Sequence, residues 1–285
     1  MFRREGFSLS KFLFYFYAVL VLIFTLGPLV IVTILAFNDN PTASFPWQGF
    51  TLDWFKASTP NRVGLFDDAR MMHAIVVSLK VAVFVTIISV VLGVNNAFLF
   101  VRHNFAGKNA LYLTMLGPLV VPGVVLGTSI LAFSFGIANG LDKIFGAGAG
   151  TFLRPGFWLV VFGQVSFVAT TTTLILTARL KRFDPALEEA ALDLGASRAE
   201  AIREITLRFL APAMLGAGII AFLFSFENFN TTYFLSGSDP TVPILLYSRL
   251  RFGITPEINA VSVLLMVVTG VLGFLGSAFQ KEDAV

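Results

Sequence analysis

The 285-residue chain has no cysteine and only two histidines, His73 and His103. Without thiols, a disulfide framework and a thiolate metal site are both excluded. Both histidines sit at the edges of apolar runs, which leaves no basis for a zinc or histidine-based catalytic site. Charged residues make up only 13% of the chain and the net charge is +3. The basic residues lie between hydrophobic runs rather than in one block, so they read as topology and not as a nucleic-acid surface. There is no G-x-x-x-x-G-K-[ST], so ATP is not bound as a P-loop protein binds it. G-x-S-x-G, H-E-x-x-H and a paired-carboxylate pocket are missing as well. Any work the protein does must draw its energy from elsewhere.

What the chain has in abundance is apolar surface: 56% of its residues are hydrophobic, including 32 phenylalanines. One soluble core could not hide so much, which marks an integral membrane protein. About 20 helical residues cross a bilayer core, and runs of that length occur near 12–37, 74–101, 109–135, 156–178, 209–235 and 258–279. The third contains Pro118 and Pro122 with Gly117, Gly123 and Gly127, so a kink is expected there. The first follows Arg3, Arg4 and Lys11. It is too long for a signal-peptide core and has no small-residue cleavage site, so it reads as retained.

Lys and Arg set the orientation. Segments 1–11, 102–108, 179–208 and 280–285 hold twelve basic residues, against seven in the longer loops 38–73, 136–155 and 236–257. The denser side is expected to be cytoplasmic, with both termini inside. The expected organisation is an N-terminal tail 1–11, a six-span domain 12–279 with an inner loop 179–208, and a C-terminal tail 280–285. The outer loops carry turn chemistry ("NDNPTASFPW", "GAGAG", "SGSDPTVP") and no sign of a separate folded domain. Trp47 and Trp54 are expected at the headgroup level.

The inner loop contains "EEAALDLGASRAEAIREITLRFLAP", residues 188–212, the most charged run in the chain. Asp184 can cap a helix and Pro185 suits its first position. Glu188 and Glu189 lie near the positive end of the helix dipole. Gly195 is placed to close that helix, and Ser197 to Glu200 spell a capping box that opens a second. On the first helix Leu187, Ala190, Ala191 and Leu194 share a face. That shallow face suits a partner's groove better than a catalytic pocket. The pattern alone equally allows an amphipathic elbow resting on the membrane.

This stretch resembles the EAA loop of permease subunits of binding-protein-dependent type I ABC importers, whose pattern is EAA, three residues, Gly, nine residues, then I-x-L-P. Glu189, Ala190, Ala191, Gly195, Ile205 and Leu207 match by position, with Leu194 on the same docking surface. Arg208 departs from the expected proline, and the nearest proline is Pro212. Other stretches, "SLKVAVFVTIISVVLG" and "PEINAVSVLL" among them, resemble the second permease of the spermidine/putrescine class. The resemblance implies an all-α, six-helix membrane permease with a cytoplasmic coupling-helix elbow, in the inner membrane. It implies a non-enzymatic subunit forming half of a substrate path. Its expected partners are a second permease, two ATP-binding cassette subunits that hold ATP and Mg, and a periplasmic or surface-tethered solute-binding protein. The expected substrate is a polyamine or another small organic cation. Related importers carry opines, other amines, phosphonates or metal chelates.

A transporter needs polar side chains at membrane depth, where they are costly unless they face a partner or a watery path. "FSFENFNTTYF" in the fifth span supplies Glu227, Asn228, Asn230, Thr231 and Thr232. Glu227 is the one acid placed within an apolar span. Its carboxylate would attract a cation; it would otherwise pair with a cation on another helix, or reach the outer interface if the span is shorter. Gln164 and threonines 170–173 are further lining candidates, although such threonines often bond their own backbone. Phe222, Phe224, Phe226 and Phe229 would stack on a cation or simply face lipid. Lys80 is expected to extend toward the outer headgroups. A secondary transporter would show an inverted repeat of broken helices, and none is evident. A membrane enzyme would need clustered reactive groups at one face.

Overall fold

The computed structural model describes residues 9–56, 58–59, 62–253 and 255–281. Arg3, Arg4 and the remainder of both expected tails (1–8 and 282–285) lie outside the described residues. Among the described residues six helices are long and apolar enough to cross a membrane. The chain divides into two compact units, residues 1–69 with 249–268, and residues 70–248 with 269–285.

The first unit opens with α1 (Leu9–Ala36), apolar on every side. None of its most apolar window is buried within the chain, as expected of a helix that lies against lipid or another subunit. The loop after it, read from its composition as turns with no sign of a separate domain, is ordered by short elements and side-chain hydrogen bonds. Short α2 (Asp53–Lys56) and a hairpin of β1 (Ser58–Thr59) with β2 (Arg62–Val63) close over it, with Ser58 opposite Val63 and Thr59 opposite Arg62. Asn38 organises this loop from within. Its Nδ2 donates to the carbonyls of Ser44 and Pro46, each at 3.2 Å, and its Oδ1 accepts from the Gln48 N–H at 2.8 Å. Trp54 is buried and donates its indole N–H to the Asn38 carbonyl at 2.8 Å, so it packs inside the loop, whereas Trp47 stays exposed. The Arg62 guanidinium lies 4.9 Å over the Trp54 ring and pairs with Asp39 at 2.5 Å and Asp53 at 3.2 Å. Asp68 and Arg249 pair at 2.5 Å. Sequence pattern alone gave no sign of this network, because its hydrogen bonds run from side chains to loop carbonyls and leave no periodicity.

The remaining helices are α3 (Ala69–Arg102), α4 (Lys108–Val120), α5 (Gly123–Phe145), α6 (Phe157–Leu180), α7 (Ala186–Asp193), α8 (Arg198–Ala201), α9 (Leu207–Phe226), α10 (Thr232–Leu235), α11 (Val242–Leu250) and α12 (Pro256–Lys281). Two expected spans differ. The run 109–135 is not one kinked helix. Pro122 has no N–H to donate and drives Val121 into an extended conformation, φ −73°, ψ 129°, which ends α4. The Val121 N–H closes α4 on the Gly117 carbonyl, and the Pro122 carbonyl opens α5 by accepting from Leu126. The long helix then runs on to Phe145, through residues expected in the outer loop. There Asp142 folds "GAGAG" by accepting from the N–H groups of Gly148 at 3.1 Å and Gly150 at 2.8 Å. The fifth span ends at Phe226 and not near 235.

Helix α6 is the most enclosed span of the second unit, and it packs against α3 and α9. Thr172 donates to the Ser89 carbonyl at 2.7 Å and to its own-helix Ala169 carbonyl at 3.0 Å. Asn96 donates to the Thr173 hydroxyl at 3.2 Å, and Thr170 to the Met115 carbonyl of α4 at 2.8 Å. The threonine run therefore joins helices, and both Thr172 and Thr173 are fully buried. Two apolar clusters fill the rest: Val81, Val85, Leu159, Val168, Ala221 and Leu235, and nearer the elbow Ala97, Leu176, Leu180, Phe183, Leu210 and Ala217.

Helices α3 and α6 approach so closely that a Cβ on Gly93 would lie 2.7 Å from the Thr172 Oγ1 and 3.1 Å from its carbonyl carbon. We expect Gly93→Ala to destabilise the protein by about 1–3 kcal/mol through overpacking, read as a lower unfolding temperature in detergent. Gly218→Ala, whose new methyl would meet nothing nearer than 3.6 Å, should unfold close to wild type. Equal unfolding temperatures for the two variants would contradict the tight α3–α6 contact.

Candidate functional site

Two places in the second unit are built for more than packing. The first is the elbow between α6 and α9. Asp184 Oδ1 accepts from the Ala186 N–H at 3.0 Å, and Pro185 already has helical dihedrals, φ −59°, ψ −25°. So the cap and first position fall where the sequence indicates. The helix ends with paired bonds, Ala196 N–H to the Ala191 carbonyl at 3.0 Å and Gly195 N–H to Leu192 at 2.9 Å. This closure needs a left-handed residue, and Gly195 supplies it at φ +91°. Ser197 and Glu200 then form the reciprocal capping box. Ile205 and Leu207 pack around the apolar cluster nearest the elbow.

The faces of α7 are inverted relative to an ordinary amphipathic helix. Leu187, Glu189 and Ala190 point outward, and Leu194 is 90% exposed. Ala191 is half-buried, and the residue turned into the protein is an acid, Glu188. Its carboxylate takes a two-pronged ion pair from Arg102 at the end of α3, one prong at 2.8 Å. It also accepts from the hydroxyl of Thr206, which is wholly buried. The side chains of Arg102 and Glu188 are 26% and 15% exposed. The Arg102 hydrogen bonds hold the Glu188 carboxyl below the usual carboxylate range against the opposing effect of burial, with Thr206 adding to the lowering. The Arg102 guanidinium is flanked by the rings of Phe98 at 5.2 Å and Phe183 at 5.5 Å. Sequence reasoning placed Glu188 only as a favourable charge on the helix dipole and Arg102 only as a topology marker. Their separation of 86 positions left no local signal.

Past α8 the chain makes one wide π turn, Ile202–Thr206, with the Leu207 N–H donating to the Ile202 carbonyl. This turn carries the elbow into α9 at the point where the expected proline is replaced. Arg208 extends outward and pairs with Glu204 at 2.5 Å, so the junction is a widened helix and not a proline bend.

The second place is where two interrupted spans meet. The break between α4 and α5 lies against the segment that follows α9. A Cβ on Gly123 would be 2.9 Å from the Asn230 Cβ, and one on Gly127 would be 2.8 Å from the Thr231 carbonyl oxygen. Thr231 is buried and donates to the Gly123 carbonyl at 3.4 Å. Asn228 Oδ1 accepts from the Thr232 N–H at 3.2 Å and its hydroxyl at 2.8 Å, which starts α10. Gln164 is 0% exposed. It donates to the Thr232 hydroxyl at 2.7 Å and accepts from Ser225. Its amide thus ties α6 to α9 and α10 and does not open onto a path in this conformation. The exposed members of the predicted set are Glu227, at the C-terminal end of α9, and Asn230. Among the described residues no cation pairs with Glu227. Phe229 begins an aromatic group, 4.9 Å from Tyr247 and 5.4 Å from Tyr233. Phe222 and Phe226 stack on each other, and Phe224 faces outward.

Helix breaks at membrane depth are tolerated where they are enclosed by protein or line a cavity. The Gln164 level lies roughly 24 Å along α6 from its Leu180 end, at 1.5 Å per residue. Nearer the other end of α6, Lys80 lines a pocket of about 200 Å³ with Ser236, Thr241 and the 3.2 Å pair of His73 with Asp239. A cavity of about 710 Å³ between α3, α9 and α12 is apolar apart from Thr86 and presents no charge to a polar solute.

Comparison with known proteins agrees with this anatomy. Residues 85–281 match the family described as binding-protein-dependent transport system inner membrane component. The putrescine transport system permease protein PotI of Escherichia coli (strain K12) is 30% identical over 254 residues, covering 88% of this chain and 85% of that protein. The spermidine/putrescine transport system permease protein PotC of Haemophilus influenzae is 26% identical over 275 residues, covering 96% of each. In fold, a chain from the crystal structure of a bacterial ABC transporter involved in the import of the acidic polysaccharide alginate superposes with a TM-score of 0.71 at 18% identity, over 96% of both chains. With the family match spanning the elbow and four of the six apolar helices, the chain belongs to the inner-membrane permease components of binding-protein-dependent ABC importers.

Proposed function

We propose that this permease forms half of a translocation path for a polyamine or a similar small organic cation, beside a second permease chain. Two ATP-binding cassette subunits would supply the energy, binding ATP and Mg themselves, and a solute-binding protein would deliver substrate. In this reading the elbow lies on the cytoplasmic side with both termini, as the Lys and Arg distribution favours.

One observation carries the coupling part. Helix α7 turns a charged residue inward and leaves Leu187, Ala190 and Leu194 exposed. An isolated protein gains nothing by presenting leucine to water, at about 25 cal/mol per Å² of apolar surface. The exposure is accounted for by a partner whose groove receives it. The Gly195 closure keeps the helix short and its direction fixed.

The cation reading rests on Glu227 at the C-terminal end of α9. There the negative end of the helix dipole reinforces a carboxylate, and the Phe229, Tyr233 and Tyr247 rings follow it. Carboxylate and aromatic faces together suit an alkylammonium. Polyamines are favoured over other amines by the names of the relatives, putrescine and spermidine/putrescine permeases.

Three outcomes test these statements. A Leu194→Cys variant should cross-link to the cognate ATPase in the assembled transporter; capture of no ATPase would remove the coupling role. Gly195→Pro, which cannot adopt φ +91° and lacks the N–H that closes the helix, should reach the membrane yet lose uptake by at least roughly tenfold. Glu227→Gln should lower uptake of labelled putrescine or spermidine in proteoliposomes roughly tenfold, corresponding to ~1.4 kcal/mol of lost attraction, with assembly retained. Unchanged uptake would argue that this carboxylate stands clear of the path.

A further inference from the structure

We infer that Arg102 is a positioning residue of the transport stroke: by gripping Glu188 it makes the elbow one rigid body with α3, so a push on α7 reaches α3 and α6 as well as α9. The inference deepens the coupling reading above and rests on it.

The covalent connections of α7 run to α6 on one side and through α8 to α9 on the other, and not to α3. On one side the chain leaves α6 through a turn at Lys181 and Arg182 and enters α7 at Pro185. On the other it passes through Gly195, whose left-handed turn at φ +91° ends α7 before α8 begins. Helix α7 is tied to α3 by neither turn. Its apolar face cannot steady it, because that face is turned away from the protein. The steadying contact is therefore Glu188.

This carboxylate gathers three segments. Arg102 supplies a planar fork to both oxygens, a geometry that resists rotation as well as separation. The fork itself is held between the rings of Phe98 and Phe183. Thr206 adds its hydroxyl from the π turn, where the widened backbone places a buried side chain at the base of the elbow. The end of α3, the coupling helix and the root of α9 thus converge on one charge.

What lies behind Arg102 is stiff. Helix α3 is locked to α6 at Gly93 and Thr172, with the Ser89 carbonyl taking the Thr172 hydroxyl. Ala97, Leu176, Leu180, Leu210 and Ala217 then pack α3, α6 and α9 into one apolar cluster. Load entering at Glu188 is shared by all three helices. Without Arg102 it would reach α3 only by way of α6 and α9.

The test uses the complete transporter, with its companion permease, ATPase and binding protein, in nanodiscs for hydrolysis and in proteoliposomes for uptake. The quantity read is solute imported per ATP hydrolysed, which a purely stabilising ion pair would leave unchanged in the assembled fraction. Arg102→Gln should lower it at least fivefold, while Leu194→Cys introduced into the same variant still cross-links to the ATPase. Arg102→Lys keeps the charge without the fork and should fall between. Exchanging the charges, Arg102→Glu with Glu188→Arg, should recover more than either single change. A wild-type ratio in Arg102→Gln would overturn the inference. Should that variant not assemble, Arg102→Lys decides it, and a wild-type ratio there overturns it equally. Absence of the Leu194 cross-link in the otherwise wild-type transporter would instead defeat the docking reading itself, which keeps the two failures distinct.

Discussion

A carboxylate shared between Arg102 and Thr206 sets the orientation of α7, and much of the anatomy of the elbow follows from it. Glu188 occupies the position on α7 that an ordinary amphipathic helix would give to leucine. With the inward position taken by a charge, Leu187 and Leu194 face outward. Removing one partner of a buried ion pair typically costs about 3–5 kcal/mol, because the remaining charge is left unsatisfied. Here both side chains keep partial exposure, which reduces the penalty and leaves the geometry as the main consequence.

The same economy of polar groups governs the spans. Inside a bilayer each unpaired N–H or C=O is costly, yet this chain interrupts two spans. It does so where the interruptions cover one another: Thr231 meets the Gly123 carbonyl, and the two glycines on α5 allow the segment after α9 to lie against its backbone. Gln164 then closes the local accounts by bonding Ser225 and Thr232 together. Glu227 and Asn230 remain exposed at this junction. Irregular backbone at depth with polar side chains left open is the arrangement by which a membrane protein makes room for a hydrophilic solute.

Legibility in the sequence followed the range of the interaction. The elbow was readable almost residue by residue, because caps, glycine closures and capping boxes are bonds between residues no more than five positions apart. The break at Pro122 was readable as a kink but not as a full interruption, since the outcome depends on Gly123 finding Asn230 and Thr231 beside it. The end of α9 at Phe226 was missed because Glu227 to Leu235 has no strong breaker; the helix stops where Asn228 bonds Thr232 and Gln164 reaches across from α6. The folded loop after α1 was missed for a similar reason. Asn38 and Trp54 lie 16 positions apart in a stretch whose composition resembles any turn.

By itself the sequence determined that the protein lies in a membrane, how many times it can cross, and the local form of its elbow, because hydrophobic length and short-range capping are properties of contiguous residues. The tertiary structure decided which side of that elbow faces out, which polar residues are sealed between helices and which stay open. Those outcomes depend on partners such as Arg102 and Glu188, Gln164 and Ser225, that are distant along the chain and meet only when the helices pack.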